Sequence, residues 1–164
     1  MQVHVIEVTA ADTHSTRRLV LREGRSDSVV AFDGDDHPGA IHLAAIDHID
    51  GVIGDHIDGV VDDIRTSIVG VATFFPSPCG PRPDDVAYQL RGMAVLPEYQ
   101  GRGVGASLLA AGVERVRAAG ATLLWANARD SALGFYEGKG WKVEGEGFEY
   151  GPARLPHHVA LLPL

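Results

Sequence analysis

Apolar and polar positions alternate in VHVIEV, residues 3–8, which predicts a strand covered on one face. AADTHSTRRLVLR, which follows, predicts a helix capped by Asp12 or Thr13 and carrying Leu19, Val20 and Leu21. GAIHLAAI (39–46) and SIVGVATFFP (67–76) are apolar runs ended by turn residues, hence two strands, and PSPCGPRPDD (76–85) is a proline-rich loop. VAYQLRGMAVL (86–96) is the longest strand candidate. From there Val104, Leu108, Leu109, Val113 and Val116 recur at helical spacing until Ala119 and Gly120 stop the helix. ATLLWAN (121–127) predicts a buried strand, and DSALGFYEGKG a short helix with Asp130 near its cap. WKVEGEGFEY and LPHHVALLPL predict two last strands joined by GPAR. The alternation predicts an α/β (α+β) fold with a mixed central sheet, in a single domain over residues 1–164.

One segment interrupts this plan. DHIDGVI (47–53) and DHIDGVV (55–61) are near copies, each with an Asp-Gly hairpin signal, so the Asp/Gly-rich insertion at about 47–66 is expected to be an arm between two strands. A cation site built from Asp47, Asp50, Asp55, Asp58, Asp62 and Asp63 lacks the acid-every-second-residue pattern of an EF-hand loop, and no metal is expected.

Composition narrows the function. A formal net charge of −8, with no basic block, opposes sequence-independent binding to nucleic acid or to anionic membrane. Cys79 is the only cysteine, the N-terminal stretch has no secretory pattern, and no apolar run approaches the about 20 residues of a membrane span, so a cytoplasmic location is expected. Cys79 has no neighbouring histidine to activate it, which argues against an acyl-cysteine intermediate.

The candidate chemistry lies in VLPEYQGRGVGASLLAAG, residues 95–112. Gly101, Gly103 and Gly105 let the chain turn tightly and bring amide groups close to a ligand, and a helix opens at once with unpaired N–H groups at its positive end. That arrangement suits phosphate oxygens, and Arg102 adds a full charge. A Walker loop would need a lysine before a Ser or Thr, but Gly105-Ala106-Ser107 has none. A dinucleotide fingerprint would need an acid about 20 residues further on, and Ala121 to Asn127 contains none.

The stretch QGRGVG resembles the Q-x-x-G-x-G pyrophosphate loop of the GNAT superfamily of acyl-CoA-dependent N-acyltransferases, with Gln100, Gly103 and Gly105 at the defining places. LRGMAVLPEYQ is similar to the family's central strand and its exit. LLWANARDSALGFYEGKGWKVEG resembles the later strand–helix–strand block, with Asn127 at a strand end and Tyr136 as the tyrosine of an F-Y-x-x-x-G-F/W pattern. Lys139 stands where the family usually has leucine, and Gly138 comes one place early. The resemblance covers about residues 86–145 and implies a GNAT-like, mostly antiparallel sheet of about six to seven strands flanked by helices.

The resemblance also implies acetyl-CoA as co-substrate and an amine acceptor, attacked in a ternary complex. The pyrophosphate would lie on the loop from Gln100 and Gly101 through Arg102, Gly103, Val104 and Gly105 to Ala106, and pantetheine would pair with Met93, Ala94 and Val95. Asn127 and Tyr136 would complete the cofactor side, with Tyr136 the general acid toward the departing thiolate. Base candidates are His157, His158, Glu146 and Glu149 on the last two strands, where adjacent histidines face opposite sides. A non-catalytic acyl-CoA-binding sensor of the same fold would need the loop but neither proton-transfer group. HHVALLPL offers an apolar strand through which a homodimer could pair.

Overall fold

The computed structural model describes residues 2–22, 24, 29–47 and 68–164. The doubled arm beyond Asp47, with Asp50, Asp55, Asp58, Asp62 and Asp63, lies outside the described residues.

In chain order come β1 (Val3–Val8), α1 (Ala10–Leu21), β2 (Ile41–Asp47), β3 (Ile68–Pro76), β4 (Ala87–Val95) and α2 (Val104–Ala118). β5 (Leu123–Arg129), α3 (Leu133–Glu137), β6 (Lys142–Tyr150) and β7 (Leu155–Pro163) follow, with 3-10 turns at Pro97–Tyr99 and Asp130–Ala132. The strands form a seven-stranded sheet ordered β1-β2-β3-β4-β5-β7-β6. It is mixed, as expected: β1/β2, β5/β7 and β6/β7 pair antiparallel, whereas β4 and β5 run parallel from Ala87↔Leu123 to Gln89↔Trp125. A parallel pair requires a crossover, and α2 supplies it.

The chain packs as two compact units, Met1–Thr73 with Gly92–Gly112 and Phe74–Arg91 with Val113–Leu164. In the first, α1 starts one turn earlier than its apolar residues suggest. Thr9, not Asp12 or Thr13, is the N-cap, and Asp12 closes a capping box by accepting the Thr9 N–H at 3.0 Å. Leu19, one of the apolar residues the helix carries, is 56% exposed, while Thr13, Thr16 and Arg17 are buried. Val20 and Leu21 do join the core, packing with Ile6, Val8 and Ile46 on Ala44, Ile68, Val71 and Ala94.

Polar burial of this kind is costly unless the groups are hydrogen-bonded, and of the Arg17 nitrogens only Nε lacks a partner. Arg17 grips Asp35 with two contacts, 2.7 and 3.0 Å, and donates also to the Val30 carbonyl and to Thr73 Oγ1. Donor directions close consistently, since His42 Nε2 donates to the Asp35 carbonyl and its Nδ1 accepts from Thr73 Oγ1 at 2.9 Å. β3 places Gly70 under α2, where a Cβ would meet Val104 Cγ1 at 3.0 Å and Leu108 Cδ1 at 3.2 Å. A glycine there lets the first turn of α2 sit directly on the strand.

In the second unit, Cys79, Ala87, Leu123 and Leu161 form a core flanked by Trp125 and Val159. Trp125 Nε1 donates to the Ser77 carbonyl at 2.9 Å, and Trp141 is buried, so both tryptophans are structural. Gly120, at φ +90°, ends α2, with the Ala121 N–H returning to the Val116 carbonyl. The expectation that the terminal strand offers an edge for dimerisation is corrected: β7 is hydrogen-bonded on one side to β5 and on the other to β6, so neither edge is open to a second copy.

Burial alone would raise the Asp35 carboxyl, but Arg17 and the Phe32 N–H outweigh it and hold it below its ordinary 3.8. A depressed carboxylate stabilises the fold above its unfolded pKa and loses that contribution as pH falls through the folded value. Asp35→Ala is therefore expected to cost about 3–5 kcal/mol at pH 7 in urea titrations. Below pH 3.8 the difference from wild type should shrink; a difference that stays constant to pH 2.5 would contradict the ion-pair account.

Candidate active site

The glycine loop belongs to the first unit and is built from the end of β4. Leu96 N–H bonds to the Val69 carbonyl at 2.9 Å, the chain turns through Pro97–Tyr99, and Gln100 Nε2 donates to the Val95 carbonyl at 2.9 Å. The Gln100 amide thus ties the loop shut across its base rather than reaching outward. Gly101 and Gly103 have φ of +71° and +85°, and nothing lies within 4 Å of where their Cβ atoms would be. Their requirement is conformational, and the space above them is open to a ligand.

α2 begins at once, and its first backbone donor to turn inward is Ser107 N–H, bonded to the Gly103 carbonyl at 3.0 Å. The N–H groups of Val104, Gly105 and Ala106 have no carbonyl one turn behind them in the helix. With the helix dipole they form an anion-binding end. Arg102 stands beside it, its guanidinium carbon 5.9 Å from the centre of the Tyr99 ring. Tyr99 is fixed in turn by a 2.9 Å hydrogen bond to Asp47, which raises its phenol pKa. Met93, Ala94 and Val95 lie on β4 directly after Gly92, which takes φ +67° and breaks the regular pleat.

The second unit holds the expected proton-transfer residues. Tyr136 is buried in α3 between Phe135 and Trp141, with ring centroids 5.3 and 4.9 Å away. Burial pushes its phenol up to about 12, so it is protonated at any working pH. Asn127 is half-buried on β5 opposite Val159, and the 3-10 turn that follows has Arg129 at its N-cap with no side-chain hydrogen bond. His157 is buried, donates through Nδ1 to the Leu155 carbonyl at 2.7 Å, and stacks on Phe148. Glu149 is exposed and paired with Arg154 at 2.7 Å, and Glu146 is exposed on β6.

His158 differs from these. Its Nδ1 lies 2.6 Å from Asp130 Oδ1, and because a carboxylate only accepts, Nδ1 carries the proton. A neutral ring then has its lone pair on Nε2. That atom faces Gly147, where a side-chain Cβ would come within 3.1 Å of it. Asp130 and Gly147 were missed as partners because separations of 28 and 11 residues leave no spacing signal. Burial raises the Cys79 thiol above its usual 9.0, the reverse of what a nucleophile needs. Among the described residues no group of three or more His, Cys, Asp or Glu could hold a metal ion, and no helix is long and apolar enough to cross a membrane.

A glycine loop that leaves a central strand and opens a helix at its unpaired end suits the phosphates of a ligand, and similarity to known proteins makes the chain an acetyltransferase. The chain belongs to the GNAT family: the family model for the Acetyltransferase (GNAT) domain matches residues 25–143. It is 28% identical over 147 residues to the uncharacterized N-acetyltransferase YitI of Bacillus subtilis, covering 90% of this chain and 87% of that one. The fold matches the IAA acetyltransferase from Bacillus cereus with a TM-score of 0.68 at 16% identity, over 99% of this chain and 100% of the other. The NatC complex bound to Gag peptide and CoA matches with a TM-score of 0.68 at 14% identity, over 100% and 99%. The family fold uses acetyl-CoA or CoA as co-substrate.

Substitutions at Gly103 separate conformation from charge. Gly103→Ala fits the open space and is expected to weaken acetyl-CoA binding by roughly tenfold, from about 1–2 kcal/mol of left-handed backbone strain. Gly103→Asp adds charge repulsion at the helix end and should weaken it by a further factor of roughly ten or more. Calorimetric titration of the two variants beside wild type measures both steps; equal affinity for all three would remove the loop from the binding site.

Proposed function

We propose that the protein transfers the acetyl group of acetyl-CoA to a primary amine of a small molecule or peptide, by direct attack in a ternary complex within a single acetyltransferase domain. The observation that carries this reading is the loop itself, whose two left-handed glycines leave open space in front of the unpaired amides of α2. The pyrophosphate rests on those amides with Arg102 beside it, and the pantetheine arm pairs with Met93–Val95. Family membership supports the acetyl donor. The peptide and CoA in the NatC complex support a peptide amine among the acceptors. A cytoplasmic setting, where acetyl-CoA is made and a lone thiol stays reduced, suits both.

The amine nitrogen forms the new bond to the acetyl carbon as the carbon–sulfur bond breaks. An ammonium of ordinary pKa about 10 must first lose a proton. His158 is the base in this reading, because Asp130 orders its tautomer and leaves Nε2 as the acceptor. Tyr136 donates to the departing sulfur. Against a thiol of ordinary pKa about 8.5, a phenol near 12 gives up its proton unfavourably, so it shares the developing charge through a strong hydrogen bond.

Tyr136→Phe is expected to lower kcat by roughly a hundredfold with CoA affinity unchanged, measured by thiol release across an amine panel. The alkaline side of the wild-type profile should show no ionisation from Tyr136 near pH 10, the ordinary tyrosine value, because burial pushes its phenol up to about 12. His158→Gln should lower kcat/KM by roughly a hundredfold with CoA affinity unchanged. An unchanged kcat/KM in that variant would reassign the base.

A further inference from the structure

Arg17 is the bulkiest fully buried side chain among the described residues, yet neither the glycine loop nor the proton-transfer groups use it. Its fixed partners, Asp35, Thr73 and the Val30 carbonyl, leave one face of the guanidinium, and that face carries the Phe32 ring at 4.2 Å. The turn bearing Phe32 is locked to the same carboxylate, since the Phe32 N–H donates to Asp35 Oδ2 at 2.9 Å and the Asp35 N–H returns to the Phe32 carbonyl at 3.1 Å. The ring edge is driven into β4. A Cβ on Gly92 would lie 2.5 Å from Phe32 Cε2 and 3.2 Å from Arg17 Nε. No L side chain could occupy that place, and the left-handed φ of Gly92 turns the strand there.

We infer that Arg17 and Phe32 are positioning residues for acetyl transfer: the Arg17–Asp35 pair seats the Phe32 ring in the notch at Gly92 and so sets the pose of the Met93–Val95 backbone against the acyl arm. This rests on the acetyltransferase reading above. Nothing in the loop motif requires such a wedge, and a buried ion pair is a costly way to hold a surface turn. The ion pair instead fixes one aromatic ring to a definite position beside the segment that aligns the thioester. Misplacement there of about an ångström is enough to slow transfer strongly. Binding of the CoA nucleotide, which depends on the loop from Gly101 to Ala106, does not draw on the wedge.

Arg17 variants risk losing the fold, so the test uses Phe32→Ala, Gly92→Ala and the double variant. In free protein, hydrogen exchange over residues 92–96 should speed up by roughly fivefold or more in Phe32→Ala, with β5–β7 unchanged. With acetyl-CoA and the best amine of the panel, kcat should fall about tenfold while the Kd for the nucleotide fragment of CoA, which lacks pantetheine, stays within about twofold. Gly92→Ala should lose more, and the double variant no more than Gly92→Ala alone, because the two substitutions disturb a single contact. Unchanged exchange, or an unchanged kcat beside a lowered melting temperature, would overturn the proposal and make the network purely structural. Failure of folded wild type to bind acetyl-CoA would instead remove the functional reading, and the exchange result would still decide whether Phe32 holds the strand.

Discussion

The amide groups of Val104, Gly105 and Ala106, which no carbonyl of their own helix can reach, set the terms for the first unit. Such groups must face water or an anion, so they cannot be packed away, yet the helix behind them must be packed to have a fixed direction. Gly70 resolves the conflict by letting Val104 and Leu108 sit directly on β3. Gln100 closes the loop onto the Val95 carbonyl, and Gly101 and Gly103 reverse the chain without filling the space it encloses. Rigid support lies on one side and vacancy on the other.

A different solution holds the polar interior. Arg17 could have been an apolar residue at little thermodynamic loss, since buried ion pairs rarely add net stability over well-packed hydrophobic groups. What the ion pair adds is direction: guanidinium, hydroxyl, imidazole and carbonyl admit one donor order, and each fixes the next. The exposed Leu19 and the buried Thr13 and Thr16 on the same helix are the visible consequence, a helix turned so that its charge rather than its leucine faces the strands.

This inversion explains where the sequence could be read and where it could not. SIVGVATFFP is buried on both faces and ATLLWAN on one with the other half-buried, and their length and flanking turns identify them to within a residue or two of β3 and β5. The glycine loop was legible because a left-handed backbone can be met almost only by glycine, so the chemistry is written in the residue type. The rotation of α1 was not legible, because hydrophobic periodicity ranks Leu19 above Arg17 and has no means of knowing that Asp35 waits 18 residues away. The partnership of His158 with Asp130 escaped for the same reason: antiparallel pairing of β5 with β7 creates it, and pairing is not local. The strand order likewise placed β7 inside the sheet, which an apolar composition alone did not distinguish from an edge.

That insertion of β7 between β5 and β6 reverses the order in which the chain is made. β6 leaves the ribosome before β7, but the strand it must pair with has not yet appeared, so it waits with its apolar face and backbone unsatisfied. A parked strand of this kind benefits from being a poor template for its neighbours. Gly145 and Gly147, the shift in register between Glu144 and Phe148, and the charges of Glu144, Glu146 and Glu149 make β6 poorly suited to stack with copies of itself during synthesis.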